Sequence, residues 1–176
     1  NNQIKQIEKL VNEFSDFARM PKPIFQKNDL AELIMENIKL LQELDISINI
    51  KFESNLPIIN LESDKEQLSR VFLNLIKNSI ESIQQKVQND SNTNKKIDIE
   101  LNDHDDHINL TIIDTGIGFE NLKSNIKDIL NPYFTTKKNG TGLGLSIVNK
   151  IINDHNGNIE FIPINDGAKI KIIFKK

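Results

Sequence analysis

Cysteine and tryptophan are both absent from the 176 residues of this chain. The absence of cysteine excludes disulfide bonds and thiolate metal sites, and it suits a reducing cytoplasm. The sequence also lacks the run of about 20 apolar residues that a membrane-spanning helix requires, and it does not open on a signal peptide. A formal net charge of -3 argues against bulk attraction to nucleic acid or to an anionic membrane.

What the sequence does contain is an ordinary globular composition, with 38% hydrophobic and 27% charged residues, which is enough for one domain and an appendage. The appendage is the first segment, where apolar residues recur at alternating spacings of three and four: Ile4, Ile7, Val11, Phe14 and Ala18. This heptad pattern predicts a helix that stops at Pro21 and Pro23. We therefore expect a helix and linker over 1–22, pairing with another helix, and a domain over 23–176. Packing of the helix on its own domain is the alternative.

Hydrophobic periodicity predicts the elements of that domain. The expected elements are helices over 29–44, 63–85 and 144–155, strands over 46–53, 158–164 and 168–174, and a hairpin over 96–116. Ser63 and Glu66 read as a capping box, and Gly157 as a left-handed helix end. Because this order does not read as successive parallel crossovers, we expect a mixed or antiparallel sheet covered by helices on one face.

Three glycines, Gly140, Gly142 and Gly144, stand two apart just before an apolar-periodic helix. A P-loop requires lysine and serine or threonine after its last glycine, whereas Leu145 follows here, and the spacing also fails the dinucleotide-binding fingerprint. What remains is a glycine-rich turn that leads into a helix N-terminus, whose free N–H groups attract phosphate. A flexible hinge is an equally good interpretation of the glycines alone.

Two further motifs favour the phosphate-binding interpretation over the flexible hinge. Asn74 and Asn78 lie four apart on one stripe of a helix, and their amide oxygens are the hard ligands that Mg²⁺ prefers. Asp114 ends a strand before two further glycines, where its carboxylate can accept a hydrogen bond from an exocyclic amine. Taken alone, the asparagines carry little information and the aspartate fits a simple hairpin-end turn. Their fixed order along the chain is more specific than any one of them.

These stretches resemble the motifs of a known family. "NLIKNSIES", "DTGIGF", "NPYFTTK" and "GTGLGLSIV" look like the N, G1, F and G2 boxes of the histidine-kinase catalytic domain, within the GHKL ATPase superfamily. The upstream "VNEFSDFARMPKP" resembles the end of the dimerisation helix in nitrogen-regulation sensor kinases of the NtrB/NtrY type. The resemblance covers about residues 25–176. It implies a Bergerat-type ATP-binding fold, an α/β (α+β) two-layer sandwich preceded by part of a dimerisation helix.

The resemblance implies roles for the matching residues. Asp114 would bind the adenine amino group, with Gly116 and Gly118 shaping the pocket around it. Asn78 would bind Mg²⁺, and Asn74, one helical turn earlier, would support the metal or its water. These two asparagines are the residues assigned to catalysis.

The same resemblance implies a lid over the triphosphate. Phe134 would anchor the lid, and Thr136 and Lys137 would lie near the phosphates. The lid would fold at a glycine turn whose amides donate to phosphate oxygens, formed by Gly140, Gly142, Leu143, Gly144 and Leu145. One residue departs from the pattern, because many relatives carry a basic residue where this chain has Glu81. We expect any missing phosphate contact from Lys77, Lys137 or Lys138.

The resemblance implies a protein-histidine kinase that transfers the γ-phosphoryl group of ATP. None of the three histidines of the chain fits the acceptor: two lie in a polar turn, and His155 is expected as a cation at a helix end. The acceptor histidine and its dimerisation domain are therefore expected upstream of this fragment. The full-length protein is expected to be a homodimer with a response regulator as partner. The fragment is expected in the bacterial cytoplasm without nucleic-acid or direct membrane contact, and an inner-membrane anchor of the full-length protein is left open. A nucleotide-sensing module without transfer activity and a serine/threonine-directed anti-sigma kinase are the alternatives.

Overall fold

The computed structural model describes residues 19–90, 94–119, 126–137 and 140–176, together with Ile4, Glu8, Val11, Asn12, Phe14 and Ser15. These six positions of the first segment are helical, as the heptad pattern predicts, and the apolar Ile4, Val11 and Phe14 are exposed. Ile7, Ala18 and Lys138, which also entered the sequence predictions, lie outside the described residues. The domain boundary after residue 22 stays a prediction.

After this segment the described chain contains seven strands, three α-helices and one 3-10 helix. The elements in chain order are β1 Gln26–Asp29, α1 Leu30–Gln42, β2 Asn49–Ser54, β3 Asn60–Ser63, α2 Lys65–Asn89, β4 Lys96–Asp103, β5 His107–Asp114, a 3-10 helix Ile126–Leu130, α3 Gly144–Asp154, β6 Gly157–Ile164 and β7 Gly167–Lys175. The described residues contain no helix that is both long enough and apolar enough to cross a membrane.

Five of the strands form one sheet in the order β2-β4-β5-β7-β6. The pair β2–β4 is parallel and the other pairs are antiparallel, with Ile112 of β5 opposite Ile170 of β7. The strands β1 and β3 form a separate antiparallel pair, which the sequence did not predict. The mixed sheet packed against helices confirms the predicted fold class.

The core lies between the helices and one face of this sheet. Along β4 the residues Ile97, Ile99 and Leu101 are buried, whereas Glu100 between them is exposed, as the alternation of strand side chains requires. The predicted stripe of α2 is buried in full: Leu68, Phe72, Leu75, Ile76, Ser79 and Ile83. Each large apolar side chain in such a layer contributes about 1.5–3 kcal/mol relative to an exposed one.

The start of α2 corrects the predicted capping box. Asp64, and not Ser63, is the N-cap, and its carboxylate accepts a hydrogen bond from the Gln67 N–H at 3.0 Å. Ser63 is the last residue of β3, where its hydroxyl donates to the carbonyl of Leu61 at 3.2 Å. Ser63 therefore pairs with Gln26 of β1 as part of the strand, and the helix begins one residue later than predicted.

The end of α3 corrects a second expectation. The left-handed residue is Asn156, with φ of 55°, and Gly157 instead begins β6. His155 before it is buried, and its Nε2 accepts a hydrogen bond from the Asp64 N–H at 3.0 Å. Its Nδ1 lies 2.8 Å from the Ile151 carbonyl, which can only accept. The ring therefore bridges the end of α3 to the start of α2 through both of its nitrogens.

Candidate functional site

A cavity of about 430 Å³ lies beside α2, where the last residue of β5 and the first residues of β7 approach the start of α3. Its volume is within the range of about 300–1,000 Å³ that is usual for small-molecule sites. Apart from Lys138, the predicted site residues are among the described ones, and those that line the cavity are Asn74, Lys77, Asn78, Asp114, Gly118, Phe134, Thr136, Lys137, Gly140, Gly142, Gly144 and Leu145. Gly116 and Leu143 do not line it. Leu143 is fully buried in the core, and the role of Gly116 is local to Asp114.

Asp114 is the buried carboxylate of this cavity, with 3% of its surface exposed. It is the last residue of β5, so the strand holds its backbone while the side chain faces α2. Its Oδ1 accepts from the Gly116 N–H at 2.9 Å, and its Oδ2 accepts from the Ser79 hydroxyl at 2.9 Å. Burial raises the pKa of this carboxyl, and the hydrogen bonds from Gly116 and Ser79 oppose the rise.

The glycines around Asp114 permit a close approach of three segments. A Cβ on Gly116 would lie 2.1 Å from the Ser82 hydroxyl, so a side chain there would push the loop off α2. Gly167 has φ of +121°, and its Cβ would lie 1.7 Å from the Asp114 carbonyl oxygen. Only glycine tolerates both the conformation and the contact. Gly116 therefore supports the position of Asp114 instead of lining the cavity.

Asn74 and Asn78 face the cavity from α2, as the four-residue spacing predicts. The amide nitrogen of Asn74 donates to the Arg70 carbonyl at 2.8 Å. Its Oδ1 consequently points toward Gly144, where an added Cβ would lie 3.0 Å away. A side chain at Gly144 would therefore crowd Asn74.

Asn78 has a cationic partner from residues 133–137, which we call the lid segment after the lid that the resemblance implies. The Lys137 ammonium donates to Asn78 Oδ1 at 2.8 Å and also pairs with the carboxylate of Glu81. An amide oxygen and a carboxylate that already hold a cation are the donor types that Mg²⁺ prefers, so the residues fit this ion. The described residues contain no cluster of three or more His, Cys, Asp or Glu residues that could hold a metal. A metal here would therefore take most of its ligands from water and phosphate.

The glycine turn before α3 is shaped by contacts within the protein. Gly142 has φ of +71°, and its carbonyl accepts from the Tyr133 N–H at 3.0 Å. A Cβ on Gly142 would lie 2.4 Å from the Tyr133 backbone carbon. Tyr133 itself has φ of +69°, a conformation that costs a non-glycine residue roughly 1–3 kcal/mol. The glycine is therefore required by the conformation of the lid segment itself.

The first turn of α3 borders the cavity and has no side-chain cap within the described part of the chain. Leu143 is the N-cap residue, and no side-chain oxygen among the described residues caps the helix. The first N–H groups of a helix have no partner within the helix, and its dipole places partial positive charge there. Gly144 and Leu145 line the cavity at this end. The arrangement can accept an anion.

Sequence reasoning missed several residues of the site. Ser79 and Ser82 hold Asp114 and the loop after it: the Ser79 hydroxyl donates to Asp114, and the Ser82 hydroxyl accepts from the Ile117 N–H at 3.0 Å. A serine in the otherwise apolar stripe of α2 was the available signal for Ser79. The apolar wall includes Phe119 and Phe161, whose rings meet edge to face at 5.8 Å. These two rings come from distant segments, and no spacing in the sequence links them.

The histidines near the hairpin turn lie away from this cavity. His104 and His107 stack at 4.6 Å, and the His107 Nδ1 lies 2.6 Å from Asp106 Oδ1 on the exposed turn. Asp106 has a lowered pKa because its carboxylate is hydrogen-bonded to His107. The turn is a solvated surface feature, as the sequence suggested.

Comparisons with known proteins agree with the motifs. Residues 63–176 match the family described as histidine kinase-, DNA gyrase B- and HSP90-like ATPase. Nitrogen regulation protein NtrY of Azorhizobium caulinodans is 35% identical over 176 residues, which are 98% of this chain and 22% of that protein. The chain spans about a quarter of the length of the curated relatives it matches.

Solved structures agree with the fold. The nucleotide-free catalytic domain of histidine kinase ThkA has a TM-score of 0.71 at 29% identity, covering 87% of this chain and 96% of that one. ThkA in complex with response regulator protein TrrA gives a TM-score of 0.77 at 28% identity, covering 99% of this chain and 48% of the other. The resemblance that the four motifs indicated is confirmed.

Proposed function

The chain belongs to the histidine kinase-, DNA gyrase B- and HSP90-like ATPase family, and from this premise we propose that it binds ATP with Mg²⁺ and transfers the γ-phosphoryl group to a histidine of a sensor kinase. One observation carries the proposal. A single cavity is lined by the buried Asp114 carboxyl, by the Asn78 amide and by the glycine turn at the start of α3. A carboxyl acceptor, a metal-binding oxygen and an anion-binding helix end are the three features that a magnesium nucleotide requires.

At the purine end, Asp114 acts as a hydrogen-bond acceptor for the adenine amino group. Each oxygen of an ionised carboxylate can accept about two hydrogen bonds. Ser79 and Gly116 use one position on each oxygen and fix the orientation of the group. The apolar wall with Phe119 and Phe161 supplies a dry surface for the base, which would bury its faces.

At the phosphate end, the chain supplies positive charge and N–H donors. Asn78 binds the metal through Oδ1, and Asn74 supports the glycine turn and the metal-bound water. Mg²⁺, when bound, neutralises phosphate charge. The amides from Leu143 to Leu145 donate to phosphate oxygens, Phe134 anchors the lid, and Thr136 and Lys137 lie near the phosphates. In-line transfer of a phosphoryl group needs this positioning and charge neutralisation more than covalent help from the protein.

The partners of the proposed reaction lie outside this chain. We propose that a dimerisation domain of the same protein presents the acceptor histidine, that the full-length protein is a homodimer, and that a response regulator receives the phosphoryl group. The structural likeness to ThkA, solved in complex with a response regulator, supports a response regulator as the partner. Because ATP is the substrate, we place the domain in the bacterial cytoplasm.

The test is phosphotransfer to a separately supplied acceptor. The chain is mixed with Mg²⁺, γ-labelled ATP and the dimerisation domain of the full-length protein, and Asn78→Ala serves as the inactive control. We expect acid-labile, alkali-stable label on the acceptor with the parent chain and none with Asn78→Ala. Nucleotide binding without any transfer would favour a sensing module, and acid-stable label would indicate a serine or threonine target. Either outcome would overturn the proposed reaction.

A further inference from the structure

Glu81 lies in the cavity between two lysines. Its carboxylate pairs with the Lys137 ammonium of the lid segment, and its other oxygen is 4.0 Å from the Lys77 ammonium one turn earlier on α2. Glu81 and Lys137 each keep 38% of their side-chain surface exposed, whereas Lys77 is 55% exposed. The Lys137 pair is therefore the closer and the less solvated of the two. Arg70 also lines the cavity and has interactions of its own.

The position of Lys137 conflicts with the proposed metal site. The ammonium donates to Asn78 Oδ1, the same oxygen that is assigned to the metal. Two cations in contact with one amide oxygen repel each other strongly, so Lys137 must move when a metal binds there. When it moves, Glu81 loses its close cationic partner unless the metal replaces it.

The same charges act differently on a nucleotide without metal. Such a nucleotide brings several negative charges toward Glu81, and Lys137 can neutralise them only by leaving the carboxylate. Glu81 would then face the phosphates with Lys77, at 4.0 Å and more exposed than Lys137, as a weaker counter-charge. With a magnesium nucleotide, the metal ion takes the place of the Lys137 ammonium at Asn78, and a metal-free nucleotide brings no such cation.

We propose that Glu81 makes nucleotide binding depend on magnesium: it retains Lys137 on Asn78 in the empty site and disfavours a triphosphate that arrives without the metal. This inference rests on the proposed function, since it assumes that the cavity holds a nucleotide. Glu81 acts as a specificity-determining residue through charge. Lys137 is the lid cation that the carboxylate controls.

The experiment measures the dissociation constant of adenylyl imidodiphosphate, a non-hydrolysable ATP analogue, by titration calorimetry. Each protein is titrated once with excess Mg²⁺ and once with a chelator. The quantity of interest is the ratio of the two dissociation constants, metal-free over magnesium-bound. The variant is Glu81→Gln, and the matched control is Glu36→Gln, which removes a half-exposed carboxylate that pairs with Lys65 at 3.0 Å on the surface.

We expect Glu81→Gln to lower this ratio about tenfold, mainly through tighter metal-free binding, because one charge at a partly exposed site changes the interaction by about that factor. Glu36→Gln should keep the parental ratio. An unchanged ratio in Glu81→Gln overturns the inference while leaving the proposed function intact. Failure of every protein to bind the analogue under both conditions overturns the proposed function, and this inference with it.

A double variant tests the part assigned to Lys137. In Glu81→Gln/Lys137→Met the gain in metal-free affinity should disappear, because the freed ammonium is what neutralises the phosphates. Persistence of the gain without Lys137 would overturn its role as the controlled cation. Thermal unfolding of all variants with and without analogue gives a second readout that does not depend on phosphotransfer.

Discussion

The Ser79 hydroxyl donates to Asp114 Oδ2 at 2.9 Å and so joins α2 to the end of β5 inside the cavity. Both residues are buried, and Gly116 holds the other carboxylate oxygen. The carboxylate therefore has a fixed orientation and still has acceptor positions toward the cavity.

Asp114→Asn should abolish binding of the magnesium nucleotide. The amide places a donor where the adenine amino group also donates, and this leaves buried polar groups unpaired at a cost of about 1–3 kcal/mol for each group. The measurement is calorimetric titration with the magnesium analogue. Asp105→Asn, in the exposed hairpin turn, is the matched control and should bind like the parent. Equal affinity of Asp114→Asn and parent would refute the assignment of this residue to adenine.

The same variant should be at least as stable as the parent at neutral pH. Burial raises the pKa of Asp114 in the folded state above its ordinary value of 3.8. Between that ordinary value and the raised pKa, the folded protein therefore binds more protons than the unfolded chain. In the parent, the contribution of Asp114 to the free energy of unfolding therefore falls as the pH rises through this range. Urea unfolding at about pH 4 and about pH 7 should show the difference between Asp114→Asn and parent shifting in favour of the variant at the higher pH. A shift in the opposite direction would contradict the direction of the pKa change.

Asn78→Ala should remove the contribution of magnesium to nucleotide affinity. With the amide oxygen gone, the analogue should bind in excess Mg²⁺ about as weakly as it binds in chelator. Circular dichroism should show an unchanged fold, because Asn78 is only partly buried. Asn158→Ala, with an exposed side chain on β6, is the control for losing an amide. The assignment fails if Asn78→Ala keeps the full response to magnesium.

Gly142→Ala should weaken nucleotide binding more than Gly140→Ala. Alanine at a positive φ costs roughly 1–2 kcal/mol, and its Cβ would meet the Tyr133 backbone at 2.4 Å. At Gly140 the closest contact is the Thr135 hydroxyl at 2.4 Å, the end of a side chain that can rotate. Dissociation constants for the magnesium analogue compare the two variants. Matching values for Gly142→Ala and the parent would count against the role of this turn.

His155→Phe should destabilise the domain without a direct effect on the cavity. An aromatic ring is kept, but the Asp64 N–H loses its acceptor, which costs about 1–3 kcal/mol for an unsatisfied group, whereas the Ile151 carbonyl still accepts from the backbone N–H of residue 155 at 3.1 Å. Urea denaturation gives the free energy of unfolding, and His104→Phe in the exposed turn is the control. Equal losses in the two variants would show that the bridge to Asp64 contributes nothing.

The periodic segments of this chain could be predicted because their side chains face only two environments. The stripe from Leu68 to Ile83 has the helical period, and the strands of the hairpin alternate, so burial follows from spacing alone. The motif order likewise indicated Asp114, Asn78 and the glycine turn as one site. The short pairing of β1 with β3 was missed because a four-residue strand carries almost no pattern.

Boundaries and partners at element ends were harder to predict. Ser63 was expected to cap α2, but pairing in β3 uses it and Asp64 caps the helix. Gly157 was expected to be left-handed, but Asn156 adopts that conformation and Gly157 begins the next strand. In both cases a tertiary hydrogen bond or strand pairing overrides a local preference that is worth only about 1 kcal/mol.

By itself the sequence determined the residue types, the order of the motifs and the faces of the helices, since covalent spacing and side-chain hydrophobicity fix these. Only the tertiary structure decided which distant groups touch. It placed the Lys137 ammonium on Asn78 and Glu81, and it joined Ser79 to Asp114, across separations of 35 to 59 residues. Such contacts depend on how α2 packs against the sheet and the lid segment. Chain spacing contains no record of that packing, because many packings bury the same apolar stripe equally well.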